Sequence, residues 1–162
     1  MKNKQLQKWA LGAEVVSAIA VVITIGFLTY QMMDNTNALQ AQTFQNLMRD
    51  INSWRSSIRE LEAGPTLSKL RSEGIESLTR GEQGRARLAY LELWGIYEAA
   101  FFANERGVLG PDEWTRFEFS ICDSRHGIIS NFWDYNYEDL PAFPEILTPK
   151  FVDFVETNCG RR

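Results

Sequence analysis

The chain offers little thiol or imidazole chemistry. In 162 residues it has two cysteines, Cys122 and Cys159, and one histidine, His126. Two cysteines are too few for a disulfide scaffold, and no CxxC pair is present. A single histidine removes the multi-histidine metal sites. Basic charge is not in excess either. Lys and Arg total 17 against 21 Asp and Glu; without Lys2, Lys4, Lys8 and Glu14 the counts are 14 and 20, a net of −6. An acidic domain repels phosphate backbones, which argues against nucleic acid as a partner. There is no GxSxG, HExxH, EF-hand loop or Walker pattern, and "RGEQG" and "ERGVLG" lack the strand context of a phosphate cradle. No alternating run suggests a sheet, and no internal repeat is evident.

One further lack is local. The stretch "VVSAIAVVITIGFLTYQMM", Val15 to Met33, has no charge in nineteen residues. A bilayer span needs roughly 20 mainly apolar residues, because the hydrocarbon layer is about 30 Å thick and a helix rises about 1.5 Å per residue. Leu11 and Ala13 extend the run on its N-terminal side, while Trp9 and Tyr30 stand near its ends, where amphipathic rings favour the headgroup zone. Lys2, Lys4 and Lys8 would suit a signal peptide, but the apolar core is longer than a usual h-region. No small-x-small site follows Tyr30 closely; Leu39-Gln40-Ala41 lies about ten residues too late for cleavage. The run therefore reads as an uncleaved anchor, residues 1–33 with the span at about 11–33. A cleaved signal and a buried soluble helix are the alternatives. Three lysines precede the run, and after it Asp34 comes well before the first basic residue, Arg49. The positive-inside bias then places the N-terminus in the cytoplasm and residues 34–162 outside it, in the periplasm of a bacterium.

Glu14 opens the run. A carboxylate near a helix N-terminus is favoured by the dipole, and here it lies within reach of the interface. The sharper reading is that it faces a partner helix. Ala10, Ala13, Ser17, Ala20 and Thr24 recur at spacings of three and four, a small-residue stripe that lets helices approach closely. With Glu14 they form a candidate helix-packing face.

Beyond the run, residues 35–63 contain no proline or glycine. Phe44, Leu47, Ile51, Trp54, Ile58 and Leu61 follow at alternating spacings of 3 and 4, a helix stripe expected to pack on its own domain, with a homotypic coiled coil as the alternative. Gly64-Pro65 is expected to end that helix and Pro65 to begin a short one carrying Leu67 and Leu70. "GIESLTRGEQG" reads as a connector. Arg85 to Arg106 follows as a helix with a wide apolar face (Leu88, Tyr90, Leu91, Trp94, Tyr97, Phe101, Phe102), hence a central one. Gly107 is placed for a left-handed C-terminal residue. "GPDEW" opens the next helix, with Trp114, Phe117 and Ile121 inward and an interruption at Gly127. "IISNFWDY" reads as a short helix, "NYEDLPAFPEI" as irregular, and "TPKFVDFVET" as the last helix, with Thr148 as N-cap and Pro149 at N1. The expected fold is all-α: one N-terminal transmembrane helix continuing into a small bundle of five or six helices.

Chemistry is sparse. Cys122 and His126 are four apart and would share a helix face, but zinc needs three or four ligands and a nucleophilic pair needs an orienting partner, neither of which is visible. Two unlinked cysteines are the leading reading; an extracytoplasmic domain makes a Cys122–Cys159 disulfide plausible. Phe132, Trp133, Tyr135 and Tyr137, interleaved with Asp134, Glu138 and Asp139, read as loop packing in preference to a sugar or cation site. No enzyme activity, cofactor or metal is expected.

"GAEVVSAIAVVITIGFLTYQMMDNTNALQAQTFQNL" resembles the opening of small, uncharacterised bacterial single-span membrane proteins. In those an Ala-Glu pair opens the span, a Tyr-x-x-x-Gln or similar end follows, and an Asn-Thr-x-Ala-Leu stretch leads into a helix. Here these fall on Ala13-Glu14, Tyr30-Gln31 and Asn35 to Leu39, with Asn37 as the variable position. "ERGVLGPDEW" and "FVDFVE" also look like that type. Where many of them carry a basic residue after the span, this chain has Met33 and Asp34, which favours the N-in orientation. The resemblance implies a helical C-terminal part and brings no activity or catalytic residues. The expected role is a membrane-anchored interaction or accessory protein. Its expected partners are membrane lipid and a protein partner or second copy of the chain. An extracytoplasmic ligand-sensing domain is the alternative. A pocket with converging polar groups would favour the sensor; a flat apolar patch would favour the interaction module.

Overall fold

The computed structural model describes residues 2–60, 63–127, 130–133 and 141–160. The fold is all-α: one long apolar N-terminal helix followed by a helical bundle, with no strand among the described residues. The chain divides into two compact units, Met1–Leu39 and Gln40–Arg162.

The first unit is helix throughout its described length, the opening part of α1 (Lys2–Glu60). Its valines and isoleucines are mediocre helix formers in water. In an apolar solvent the balance changes, because every backbone N–H and C=O must then be satisfied within the segment, and a helix does this. The hydroxyls follow the same rule. Thr24 Oγ1 donates to the Ala20 carbonyl at 2.8 Å and Thr29 Oγ1 to the Ile25 carbonyl at 2.9 Å. Neither hydroxyl then needs water.

The second unit holds the rest of α1, α2 (Ala63–Glu73), a 3₁₀ turn at Ile75–Ser77, α3 (Arg80–Glu105), α4 (Pro111–His126), α5 (Ser130–Trp133), α6 (Phe143–Ile146) and α7 (Pro149–Cys159). Helix α3 is the centre. Its Trp94 and Ala100 are fully buried, with Tyr90, Leu93, Tyr97 and Phe101 beside them. Trp94 packs on Tyr97, Trp133 and Phe151, and Phe101 on Trp114, Phe151 and Phe154. One helix thereby gathers aromatic rings from α4, α5 and α7. The α1 stripe packs on this core: Leu47 and Ile51 are buried, Phe44 and Trp54 half-buried, and Trp54 Nε1 donates to the Ala89 carbonyl at 2.6 Å. Leu61 lies outside the described residues.

Several boundaries differ from the sequence pattern. Helix α3 starts at Arg80 instead of Arg85, because Thr79 and Glu82 form a capping box: Thr79 Oγ1 accepts the Glu82 N–H and Glu82 Oε2 accepts the Thr79 N–H. This reciprocal pair satisfies two of the orphan donors at a helix start and makes the glycines after it helical. The Thr79 hydroxyl and amide hold the Glu82 carboxyl below its usual range of about 4.5. Helix α1 ends at Glu60, before Gly64-Pro65, which lie in the first turn of α2. "FPEI", expected to be irregular, closes one helical turn with Phe143 fully buried beneath it. Gly107 takes φ +70°, and its N–H and that of Val108 donate to the Asn104 and Ala103 carbonyls, which completes a Schellman end for α3.

Candidate functional site

Most of the exposed large apolar side chains among the described residues belong to the first unit. From Val15 to Met33 every valine, isoleucine, leucine, phenylalanine and methionine is more than half exposed. Among the described residues this is the one helix long and apolar enough to cross a membrane. Isolated exposed apolar residues are ordinary, but a contiguous apolar surface of this size marks an interaction with lipid or protein. Ala13, Ser17 and Ala20 lie together on one face of the helix, bordered by Trp9, Gly12 and Val16. Thr24 stands one turn further along, its hydroxyl already bonded to Ala20. Glu14 is exposed. The side chain of Ala10 lies outside the described residues.

In the second unit, helix α7 is held at both ends. At its start, Thr148 is the N-cap residue, but its side chain makes no capping bond. Its backbone N–H donates instead to Glu98 Oε1 at 2.7 Å, a carboxylate from the middle of α3. A negative charge there also complements the helix dipole. Two residues on, Lys150 pairs with Glu105. At its end, the sulfurs of Cys159 and Cys122 are bonded, joining α7 to α4 across 37 residues of sequence. His126 Nε2 donates to the Cys159 carbonyl. The leading sequence reading left the two cysteines unlinked, whereas the fold brings their Cα atoms to 4.8 Å. With the sulfurs bonded to each other, neither is a thiolate, so the Cys122–His126 pair weighed for zinc or nucleophilic chemistry has no free sulfur to use. Among the described residues, no three of His, Cys, Asp or Glu converge as a metal-binding group.

Phe132 and Trp133 of the aromatic stretch are buried against Tyr90, Phe143 and Trp94. Tyr135, Tyr137, Asp134, Glu138 and Asp139 lie outside the described residues. Beside this cluster Arg87 is buried, donates to the Pro141 carbonyl and sits 5.4 Å from the centre of the Phe143 ring. The Tyr97 hydroxyl hydrogen-bonds Ser124 Oγ at 3.1 Å inside the bundle. Burial pushes its pKa above the ordinary value, with the Ser124 bond pulling the other way.

Among the described residues a groove of about 180 Å³ also lies between the second-unit part of α1 and α4, lined by Phe44, Met48, Ile51, Arg55, Arg116, Phe117 and Ser120. No sequence reading singled it out. Phe44 and Ile51 were visible as a stripe and Phe117 as an inward residue, but nothing local signals that two helices 60 residues apart leave a gap between them.

No family model, curated protein or solved structure matches the chain.

Proposed function

We propose that the chain is a membrane-anchored helical interaction or accessory protein, of the small bacterial single-span kind its N-terminal residues resemble. The carrying observation is the exposure of Val15 to Met33. The run contains nine Val, Ile, Leu or Phe residues. At a helix centre each favours insertion by about 0.3–0.6 kcal/mol, or roughly 3–5 kcal/mol together, which a carboxylate in mid-span would largely cancel. Glu14 precedes the run instead of interrupting it.

Two independent features support an extracytoplasmic second unit. Lys2, Lys4 and Lys8 lie before the span and Asp34 just after it, as the positive-inside bias expects for N-in insertion. Disulfides persist in oxidising compartments and are rare in the cytosol, which suits the Cys122–Cys159 bond. The proposed partners are lipid around the span and a second helix, from another protein or a second copy, along Ala13, Ser17 and Ala20. A second reading, a ligand-sensing domain, is favoured by the α1–α4 groove.

Alkaline extraction of membranes, with intact-mass measurement, tests the anchor. The full 18.6 kDa chain is expected in the membrane pellet. Release into the soluble fraction, or a mature chain starting near Ala41, would overturn the reading.

A further inference from the structure

The α1–α4 groove is graded from apolar to charged. Ile51 and Phe117 are buried at its floor, Phe44 and Met48 are half-buried on its wall, and Arg55 and Arg116 are exposed at its rim. The Phe44 and Phe117 rings meet edge-on at 6.5 Å, giving the floor a fixed aromatic corner. An apolar cavity of about 150 Å³ holds one benzene ring. A groove of about 180 Å³ therefore takes a single ring or short branched chain with a polar arm.

The rim adds charge of one sign. Arg116 makes no ion pair with any described residue, although Asp112 and Glu113 precede it on the same helix. The one hydrogen bond of Arg55 among the described residues is a long 3.5 Å bond to the side-chain Oδ1 of Asn52. Ser120 Oγ already donates to the Arg116 carbonyl at 2.9 Å. Two guanidiniums without carboxylate partners are thus placed over an apolar floor in a domain of net negative charge. Guanidinium forks match carboxylate geometry.

We propose that this groove binds a small amphiphilic carboxylate, its ring or short chain seated on Ile51 and Phe117 and its carboxylate held between Arg55 and Arg116. This names a ligand class for the sensing reading. It rests on the groove alone and stands whether or not the N-terminal helix spans a bilayer.

The test uses the full chain in nanodiscs of neutral phosphatidylcholine, with 3-phenylpropionate as the probe and its neutral amide as the control. Binding is read by saturation-transfer NMR and titration calorimetry. The acid is expected to bind saturably at sub-millimolar to millimolar concentration. The amide is expected to bind about tenfold or more weakly, the factor set by losing one charge-assisted contact. The Arg55→Gln/Arg116→Gln double variant should lose the same factor for the acid and leave the amide unchanged. Met48→Trp, which fills the wall, should abolish binding of both, with thermal unfolding showing that each variant remains folded. Equal binding of acid and amide, or undiminished acid binding by the double variant, would overturn the proposal. So would no saturable binding of the acid, including the case in which the chain self-associates through the arginines and a second copy occupies the groove.

Discussion

Val22 and Val155 carry the same side chain, yet Val22 is 68% exposed and Val155 is fully buried. The contrast extends to whole units. In the first, Ile19, Ile23, Phe27 and Leu28 are each more than half exposed. In the second, Ile51, Leu93, Phe101 and Ile121 point into one core. The two units do not differ in kind of apolar residue. They differ in pattern, since an uninterrupted apolar run has no polar face to give to water, whereas a stripe at spacings of three and four has one. The first unit leaves its apolar side chains exposed, and the second buries its own.

Substitutions that act differently on the two units sharpen this contrast. The largest expected effect is Trp94→Ala. Removing a fully buried indole from the centre of α3 should cost about 5 kcal/mol, the upper end for such truncations, and unfold the second unit at ambient temperature by circular dichroism. Ile23→Ala in the first unit should leave thermal unfolding of the second unit where it was. A similar loss from both would break the distinction. Next, replacing Cys122 and Cys159 together by alanine releases a closure across 37 residues, worth about 4 kcal/mol in the chain-entropy account. The melting temperature should fall, and reduction of the native protein should give the same fall. Third, Val22→Arg places a charge in the middle of the proposed span at a cost of about 3 kcal/mol. Retention in carbonate-washed membranes should drop while the second unit melts unchanged.

The smallest effect is at the start of α3. Thr79→Ala should cost about 1 kcal/mol, the usual worth of an N-cap side chain. Its partner gives a pH signature. The Glu82 carboxyl is held below its unfolded value of about 4.5, so its contribution is present above that value and is lost as pH falls through the lower folded value. Glu82→Gln should flatten that acid limb of the melting curve and leave the neutral region nearly level.

Much of the fold was legible because its signals are local. The uncharged run, the α1 stripe, the Gly107 end of α3, the Gly110-Pro111 start of α4 and the Pro149 start of α7 each depend on residues within a turn or two. The missed start of α3 was equally local: Thr79-x-x-Glu82 is a capping box in the sequence, overshadowed by the glycines at 81 and 84. The short α6 turn was obscured by Pro141 before it and Pro144 within it, although Pro144 stands where a first turn accepts one. The candidate sites were less legible. The long apolar run can be read from composition, but the groove and the clamps on α7 cannot.

What the amino-acid sequence determined by itself is the helical class, the uncharged N-terminal run and the order of the helices, since periodicity, capping and lack of charge all operate over a few residues. Only the tertiary structure decided that Cys122 meets Cys159, that Glu98 caps a helix 50 residues away, and that Arg55 and Arg116 stand over one apolar floor. Those pairings depend on how the faces of separate helices pack around α3, and no short stretch of chain specifies that geometry.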